Sequence, residues 1–413
     1  MRAPEGEEPF GGEKGAKKDM AGRVDKHLQQ HLWYLVSVIL VFVSIMLSQT
    51  GCAQRENTIK IGGVGPLTGG AATYGASTRN ACQMAIEEIN QQGGLDVSGK
   101  KYKLELIFED DEGKPESAAN AYRKLIDQDR VCAIIGTVMS KCSLAGAPIA
   151  QEAHVPMISN ASTNPQVTLI GDYIFRACFI DPFQGRIMAN FAFSSLGKRK
   201  AAVLFDNGND YNKGLAEFFK ARFEELGGQI VAYEAFTDED KTQDFSAQLT
   251  KIKAAGPDIL FLPNYYSSVA MIAKQARAMG LDVPLIGGDG WDSPDLVTLG
   301  KEAVEGCFFS THFPKDDPSP RVQKFVSAYT EKYKQPPDAL AALAYDACLI
   351  LFHGLRTAKS LKGEDLRDAL KNIRGLEAVS GQITFDDQRN PVKGAVIVKI
   401  ENGRQVFYQR VNP

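Results

Sequence analysis

At 413 residues the chain has room for two to three domains of ~150 residues each. Apolar residues make up 44% and charged residues 23%, so a packed globular protein is expected rather than disorder. Lys and Arg number 47 against 50 Asp and Glu, a net charge of −3, which lacks the basic excess of a nucleic-acid binder. With 5 His in all, and His27 and His31 near the start, His154, His312 and His353 are left for the main body, too few and too scattered for a multi-histidine metal site.

Leu32–Leu47 (LWYLVSVILVFVSIML) is apolar and uncharged and follows Arg23 and Lys26. It is short of the ~20 residues a membrane span needs and suits the core of an export signal. Ser48-Gln49-Thr50-Gly51 leads into Cys52 and resembles the cleavage box of bacterial lipoproteins, in which a small residue precedes a lipidated Cys. Gln49 stands where that box usually carries Leu. Residues 1–51 are therefore expected to be a leader with a lipoprotein signal peptide, and Cys52 the lipidation site. A soluble exported form and a retained anchor helix remain alternatives. The Gly-, Glu- and Lys-rich residues 1–19 do not suit a signal peptide, whereas MAGRVDKHLQQHL from Met20 does, so Met20 is expected to be the true start. Cys82, Cys132, Cys142, Cys178, Cys307 and Cys348 are scattered and mostly in apolar contexts, and read as buried thiols, although export permits disulfides.

From residue 58 short apolar runs alternate with amphipathic ones. Strands are expected at Thr58–Val64, Lys103–Glu109, Val131–Ile135 and Val155–Ile158, with helices at Ala76–Asn90, from Pro115 to about Asp129, and at Leu144–Ala153. A second series has strands at Arg199–Phe205, Ile230–Ala235, Asp258–Leu262 and Pro284–Ile286, with helices at Lys213–Leu226, Phe245–Ala254 and Ser267–Met279. Such alternation predicts βαβ units and two parallel α/β lobes. The tail reads as helices Arg321–Tyr333, Ala339–Thr357 and Gly363–Lys371, then strands Ile383–Phe385, Ala395–Ile400 and Gln405–Arg410. Helices that complete one lobe and strands that complete the other would make the chain cross between lobes more than once.

The segments IGGVGPLTGGAATYG, NACQMAIEEINQQGG, FEDDEGKPESAANAYRKLI, AIIGTVMSKCSLAGAPIA, VPMISNASTNP, FRACFIDPFQG, PDILFLPNYYSSVAMIAKQARAMGL and LIGGDGW, in this order, resemble the periplasmic binding proteins that deliver branched-chain amino acids to an ABC transporter. The resemblance runs from about Thr58 to the C-terminus. It implies an α/β fold with two doubly wound parallel-sheet lobes joined by a three-strand hinge, a type I periplasmic binding protein. Lobe one would be 57–179 plus 312–388, and lobe two 180–311 plus 389–413. It implies an extracytoplasmic binding protein, not an enzyme, with no cofactor and no metal. Its partners would be a small amino acid ligand, an ABC transporter permease and the membrane through an N-terminal lipid. A monomer in the periplasm or at the cell surface is expected.

Open parallel sheets bind ligands beyond the carboxyl ends of their strands. Ser140 lies where a helix begins, a position suited to a carboxylate, and the family places a Ser there for the ligand's carboxylate. As a bare residue Ser140 reads equally as a helix cap. Met139 beside it is included as a site candidate. In SNASTNP the resemblance assigns Thr163 and the Ala161 carbonyl to the amino acid, although the same residues also spell an ordinary turn. Asp289, between Gly288 and Gly290, matches the acid that meets the ligand's ammonium. The family usually has Glu, so the reach is shorter here. Tyr74, Tyr211, Tyr265 and Phe313 match framing aromatics, while Trp291 reads either as a cover for the site or as lying outside it. A nicotinamide-dependent enzyme is disfavoured because Thr68 stands where GxGxxG needs Gly. A hydrolase is disfavoured because no GxSxG and no triad are visible. A sensor for amides or other small carboxylates, working through a separate partner, is the alternative function.

Overall fold

The structure, a computed structural model, describes residues 31–39 and 57–412. Residues 31–39 form a helix. Met20, Cys52 and its cleavage box lie outside the described residues.

Sheet one holds β1 (Thr58–Gly65), β2 (Leu95–Val97), β3 (Lys100–Asp110), β4 (Ala133–Ile135), β5 (Met157–Ser159) and β6 (Ile174–Arg176), in the order β2-β3-β1-β4-β5-β6. All its pairings are parallel except the β2–β3 hairpin. Sheet two holds β7 (Lys200–Asp206), β8 (Gln229–Phe236), β9 (Ile259–Leu262), β10 (Leu285–Gly287), β11 (Phe308–Thr311), β14 (Ala395–Glu401) and β15 (Arg404–Val411). Their order is β15-β14-β11-β10-β9-β7-β8, parallel from β11 through β8, with β14 and β15 added antiparallel. The small hairpin β12 (Leu376–Ala378) and β13 (Gly381–Ile383) stands apart.

Three crossings join the sheets: after β6, after β11 through His312 and Phe313, and through residues 384–394. The helices Pro320–Tyr333 and Ala339–Thr357 between the last two crossings pack on the helix Ala72–Gln91 of sheet one. The helix Ala339–Thr357 is long and apolar enough to span a membrane by composition, but most of it is buried in the protein. It is therefore a core helix, and this explains its continuous apolar sequence.

The expected elements recur with shifted ends. The helix read at Ala76–Asn90 begins at Ala72, and the one read at Leu144–Ala153 begins at Ser140. The tail strand read at Ile383–Phe385 is instead Gly381–Ile383, with Phe385 in a lone bridge to Pro391. Unread in the sequence were β2, β6 and β11 and the helices Gln166–Leu169, Asp181–Asn190 and Pro294–Gly300. The buried three- and four-residue strands among them, β6 and β11, show no alternation because both faces are covered. Among the described residues the cysteines, Cys82, Cys132, Cys142, Cys178, Cys307 and Cys348, are free thiols, buried except for the half-buried Cys132.

Glycines make room around β1. A Cβ on Gly63 would lie 2.3 Å from the ring of Phe108 on the neighbouring strand β3. One on Gly75, in the first helix, would lie 2.0 Å from the Pro66 carbonyl oxygen, which is backbone and cannot turn aside. Gly75→Ala is therefore expected to lower unfolding free energy by about 2–3 kcal/mol in urea titrations, the usual range for overpacking; an unchanged midpoint would show that the helix does not press on this turn.

Candidate functional site

The loops that follow β4, β5, β7, β9 and β10 converge on a small cavity at the carboxyl ends of both sheets. From the sheet-one side it is lined by Tyr74, Val138, Ser140, Ala161, Thr163 and Leu340, and from the sheet-two side by Tyr211, Tyr265, Asp289 and Gly290.

On the sheet-one side, β4 ends at Ile135 and the helix Ser140–Glu152 starts at Ser140, so free backbone N–H groups of the first turn face the cavity end. The Ser140 hydroxyl accepts from the Asn164 N–H at 3.3 Å. Behind it a hydroxyl network fixes both loops. The Ser143 and Ser162 hydroxyls meet at 2.7 Å, Thr137 and Ser143 at 2.8 Å, and Ser159 donates to the Thr137 carbonyl at 2.9 Å. The fully buried Arg176 ties the second loop, donating to the carbonyls of Ser162 at 2.6 Å and Asn164 at 2.9 Å. Burial pulls its guanidinium pKa down, but an arginine remains a cation.

On the sheet-two side, Asp289 opens a single 3-10 turn just after β10 and is almost entirely buried. Its Oδ1 accepts from Gln184 Nε2 at 3.0 Å and from the Tyr211 hydroxyl at 3.0 Å. Its Oδ2 lies 2.9 Å from His312 Nε2. A carboxylate accepts about four hydrogen bonds, so three side-chain donors leave room for one more. The backbone locks the same network: the Asp289 N–H donates to Gln184 Oε1 at 2.6 Å, and the Gly290 N–H to the Tyr211 oxygen at 3.0 Å. The flanking glycines follow from this crowding. A Cβ on Gly288 would sit 2.6 Å from the Tyr211 oxygen, and one on Gly290 3.0 Å from the Asn264 carbonyl.

Burial holds the phenols of Tyr74, Tyr211 and Tyr265 well above their ordinary pKa, with Asp289 adding to the effect at Tyr211, so all three keep their protons; Tyr74 and Tyr211 donate them, and the Tyr265 hydroxyl has no partner among the described residues. Burial, and then the Asp289 charge, push the Asp181 carboxyl up to about 8, so it stays protonated at neutral pH. Tyr211 and Tyr265 stack with centroids 5.3 Å apart, and Tyr74 meets Tyr265 edge-on at 6.0 Å. Contacts also bridge the two sides. Tyr74 donates to the Gly290 carbonyl, Thr73 and Ser293 hydroxyls meet at 3.2 Å, Asn164 donates to the Asp210 carbonyl at 3.0 Å, and Lys141 pairs with Asp240 at 3.4 Å.

Ser140, Ala161, Thr163, Tyr74, Tyr211, Tyr265 and Asp289 thus lie on one cavity. Met139 and Phe313 do not line it. Met139 is the cap residue of its helix and turns toward Gly113, its Sδ 3.1 Å from where a Cβ there would stand. Phe313, at the second crossing, packs edge-on against Phe325 at 5.9 Å. Trp291 lies outside the cavity as well, fully buried with its indole N–H donating to the Leu262 carbonyl at 2.8 Å. Sequence reasoning missed Val138, Leu340, Gln184, Arg176 and the role of His312. Gln184 follows Asp181 by one helical turn in FIDPFQG, which was the available signal; nothing local marks His312.

The sequence profile of the family described as periplasmic binding protein matches residues 58–405. A crystal structure of a leucine binding protein, LivK, from Thermotoga maritima is 39% identical, with a TM-score of 0.81 over 86% of this chain and 99% of that one. A branched-chain amino acid transporter substrate binding protein, LivJ, from Streptococcus pneumoniae, in complex with isoleucine, is 33% identical, with a TM-score of 0.80 over 86% and 100%. A solute binding protein of an ABC transporter from Rhodopseudomonas palustris, in complex with 3,4-dihydroxy benzoic acid, is 29% identical, with a TM-score of 0.76 over 86% and 98%. With two doubly wound lobes, a cleft at the strand ends and a family match over most of its length, the chain belongs to the periplasmic binding protein family, whose members bind small molecules outside the cytoplasm, and it resembles the branched-chain amino acid binding proteins within that family.

Proposed function

We propose that the protein captures a free neutral amino acid, leucine, isoleucine or valine first, and delivers it to an ABC transporter permease. One observation carries the reading: Asp289 is buried at the cavity wall and all its hydrogen bonds come from groups that are neutral in this arrangement. A buried carboxylate without a cation is costly, and a ligand ammonium relieves that cost. Ser140 and Thr163, at the opposite wall, offer hydroxyl and backbone donors to the ligand's carboxylate. Val138, Leu340 and the tyrosine rings give an apolar space for its side chain. An aromatic acid such as dihydroxybenzoate, bound by the Rhodopseudomonas relative, would bring no amine to Asp289.

In this reading the lobes are 57–179 plus 312–388 and 180–311 plus 389–413. Lobe one takes the carboxylate end. Closure then brings Asp289 and Tyr265 onto the ammonium end and expels water, so the ligand shifts an open–closed equilibrium by the contacts it gains on closing. The protein acts as a monomer, anchored by a lipid on Cys52 after removal of residues 1–51.

Asp289→Ala is expected to lose two to three decades of leucine affinity in calorimetry, following the ~3–5 kcal/mol cost of an unpaired buried charge. Unchanged affinity would remove Asp289 from the site, and retention of benzoate with no amino acid bound would replace the ligand class. Cys52→Ser is expected to move the protein from the membrane fraction to the soluble extracytoplasmic fraction; a variant that stays with the membrane would rule out lipid anchoring at Cys52.

A further inference from the structure

His312 sits at the second crossing, fully buried, with its ring stacked on Phe179 of the first crossing at 3.6 Å between centroids. Its Nε2 lies 2.9 Å from Asp289 Oδ2. A carboxylate only accepts, so Nε2 carries the proton of that bond. The other nitrogen, Nδ1, is buried with no partner. Neutral imidazole tolerates this, because Nδ1 is then a bare acceptor. Protonated imidazole would leave a buried N–H donor unmet. Burial accordingly pulls the His312 pKa below its usual value, against the opposing pull of Asp289. The other charged group acting on it is Lys393, which also disfavours a cation on His312, while the nearby Asp181 carboxyl keeps its proton. Lys393 itself donates to the Ala177 carbonyl at 3.3 Å and to the Ser380 hydroxyl.

We propose that His312 is a specificity-determining positioning residue: neutral, it aims the Asp289 carboxylate at the cavity without cancelling its charge, and protonated, it becomes a resident cation that competes with the ligand's ammonium. The inference rests on the reading that an ammonium meets Asp289. It makes amino acid capture proton-linked. The ligand-free protein takes up a proton at the His312–Asp289 pair on acidification, and binding must expel it. Affinity is then steady while His312 is neutral and falls as the imidazole takes up its proton, by at most about tenfold per pH unit.

The test measures L-leucine affinity by calorimetry from about pH 8 to about pH 5. It compares the wild type, His312→Gln, which keeps a neutral donor near the Nε2 position, and Asp289→Asn, with thermal melts to confirm folding. The wild type is expected to weaken progressively as the pH falls through this range, while the affinity of His312→Gln, referred to its own value at about pH 8, stays nearly flat with pH. Imidazole resonances give a second readout: one histidine signal, absent from His312→Gln, titrates in the ligand-free protein, and leucine moves its midpoint to lower pH. A slope equal in wild type and His312→Gln, with leucine affinity lost in Asp289→Asn, would overturn the role of His312 and leave the ligand reading standing. Leucine affinity unchanged in Asp289→Asn would overturn the ligand reading and the inference together.

Discussion

The site depends on one buried negative charge held in place without a resident counter-ion. Burying a carboxylate this deeply is unfavourable unless its oxygens are bonded. Gln184, Tyr211 and His312 supply those bonds from three different segments of the chain. They fix its direction and leave its charge uncancelled. The rest of lobe two follows from that arrangement. Gly288 and Gly290 lack side chains because Tyr211 and Asn264 occupy the space, and Asp181 holds its proton because it is buried and, secondly, because a charge there would be repelled by Asp289.

Lobe one has the opposite polarity, reached by a different route. No lysine or arginine lines its half of the cavity. Donors come from a helix start and from hydroxyls whose positions are set by the Ser143–Ser162–Thr137 network. Arg176, close behind, is spent on the Ser162 and Asn164 carbonyls. It shapes the loop and adds a positive field at the end where a carboxylate would rest. The cavity is therefore dipolar, positive toward sheet one and negative toward sheet two, which is the complement of a zwitterion.

Much of this was legible in the sequence. Long, periodic helices such as Ala339–Thr357 and Gly363–Lys371 were placed to the residue, because their apolar spacing and flanking turns agree. The loops carrying Ser140, Thr163 and Asp289 announced themselves as irregular segments after buried strands. What stayed hidden is of two kinds. Strands of three or four residues, such as β6 and β11, carry too few positions to show a period. Residues acting through another residue carry no local mark: His312 looks like any histidine near a crossing until sheet two places it against Asp289, some two dozen positions back in the chain. Met139 and Phe313, expected at the site, fall outside the cavity for the converse reason. Each neighbours a cavity-lining residue or a crossing in sequence, but its side chain packs elsewhere.

Because the two ends of the dipole stand on different sheets, binding and closure are hard to separate. Several of the direct contacts between lobes are individually weak. Lys141–Asp240 is half exposed on the aspartate side, and such pairs are worth about 0–1 kcal/mol. The Thr73–Ser293 and Asn164–Asp210 bonds are neutral and part-buried, each contributing about 0.5–1.5 kcal/mol. Moving an equilibrium from mostly open to mostly closed takes about 5.5 kcal/mol of differential binding, more than any one of these contacts supplies. On the proposed reading the ligand makes up the difference, because only a molecule with charge at both ends engages Ser140 and Asp289 together. A ligand with a carboxylate alone would occupy lobe one and leave Asp289 buried and unmatched on closing. Selectivity then comes from the closed state and not from the first encounter, and the shorter Asp in place of Glu is consistent with this, since the tight bonds to Gln184, Tyr211 and His312 leave no slack for the carboxylate to follow a poorly placed amine.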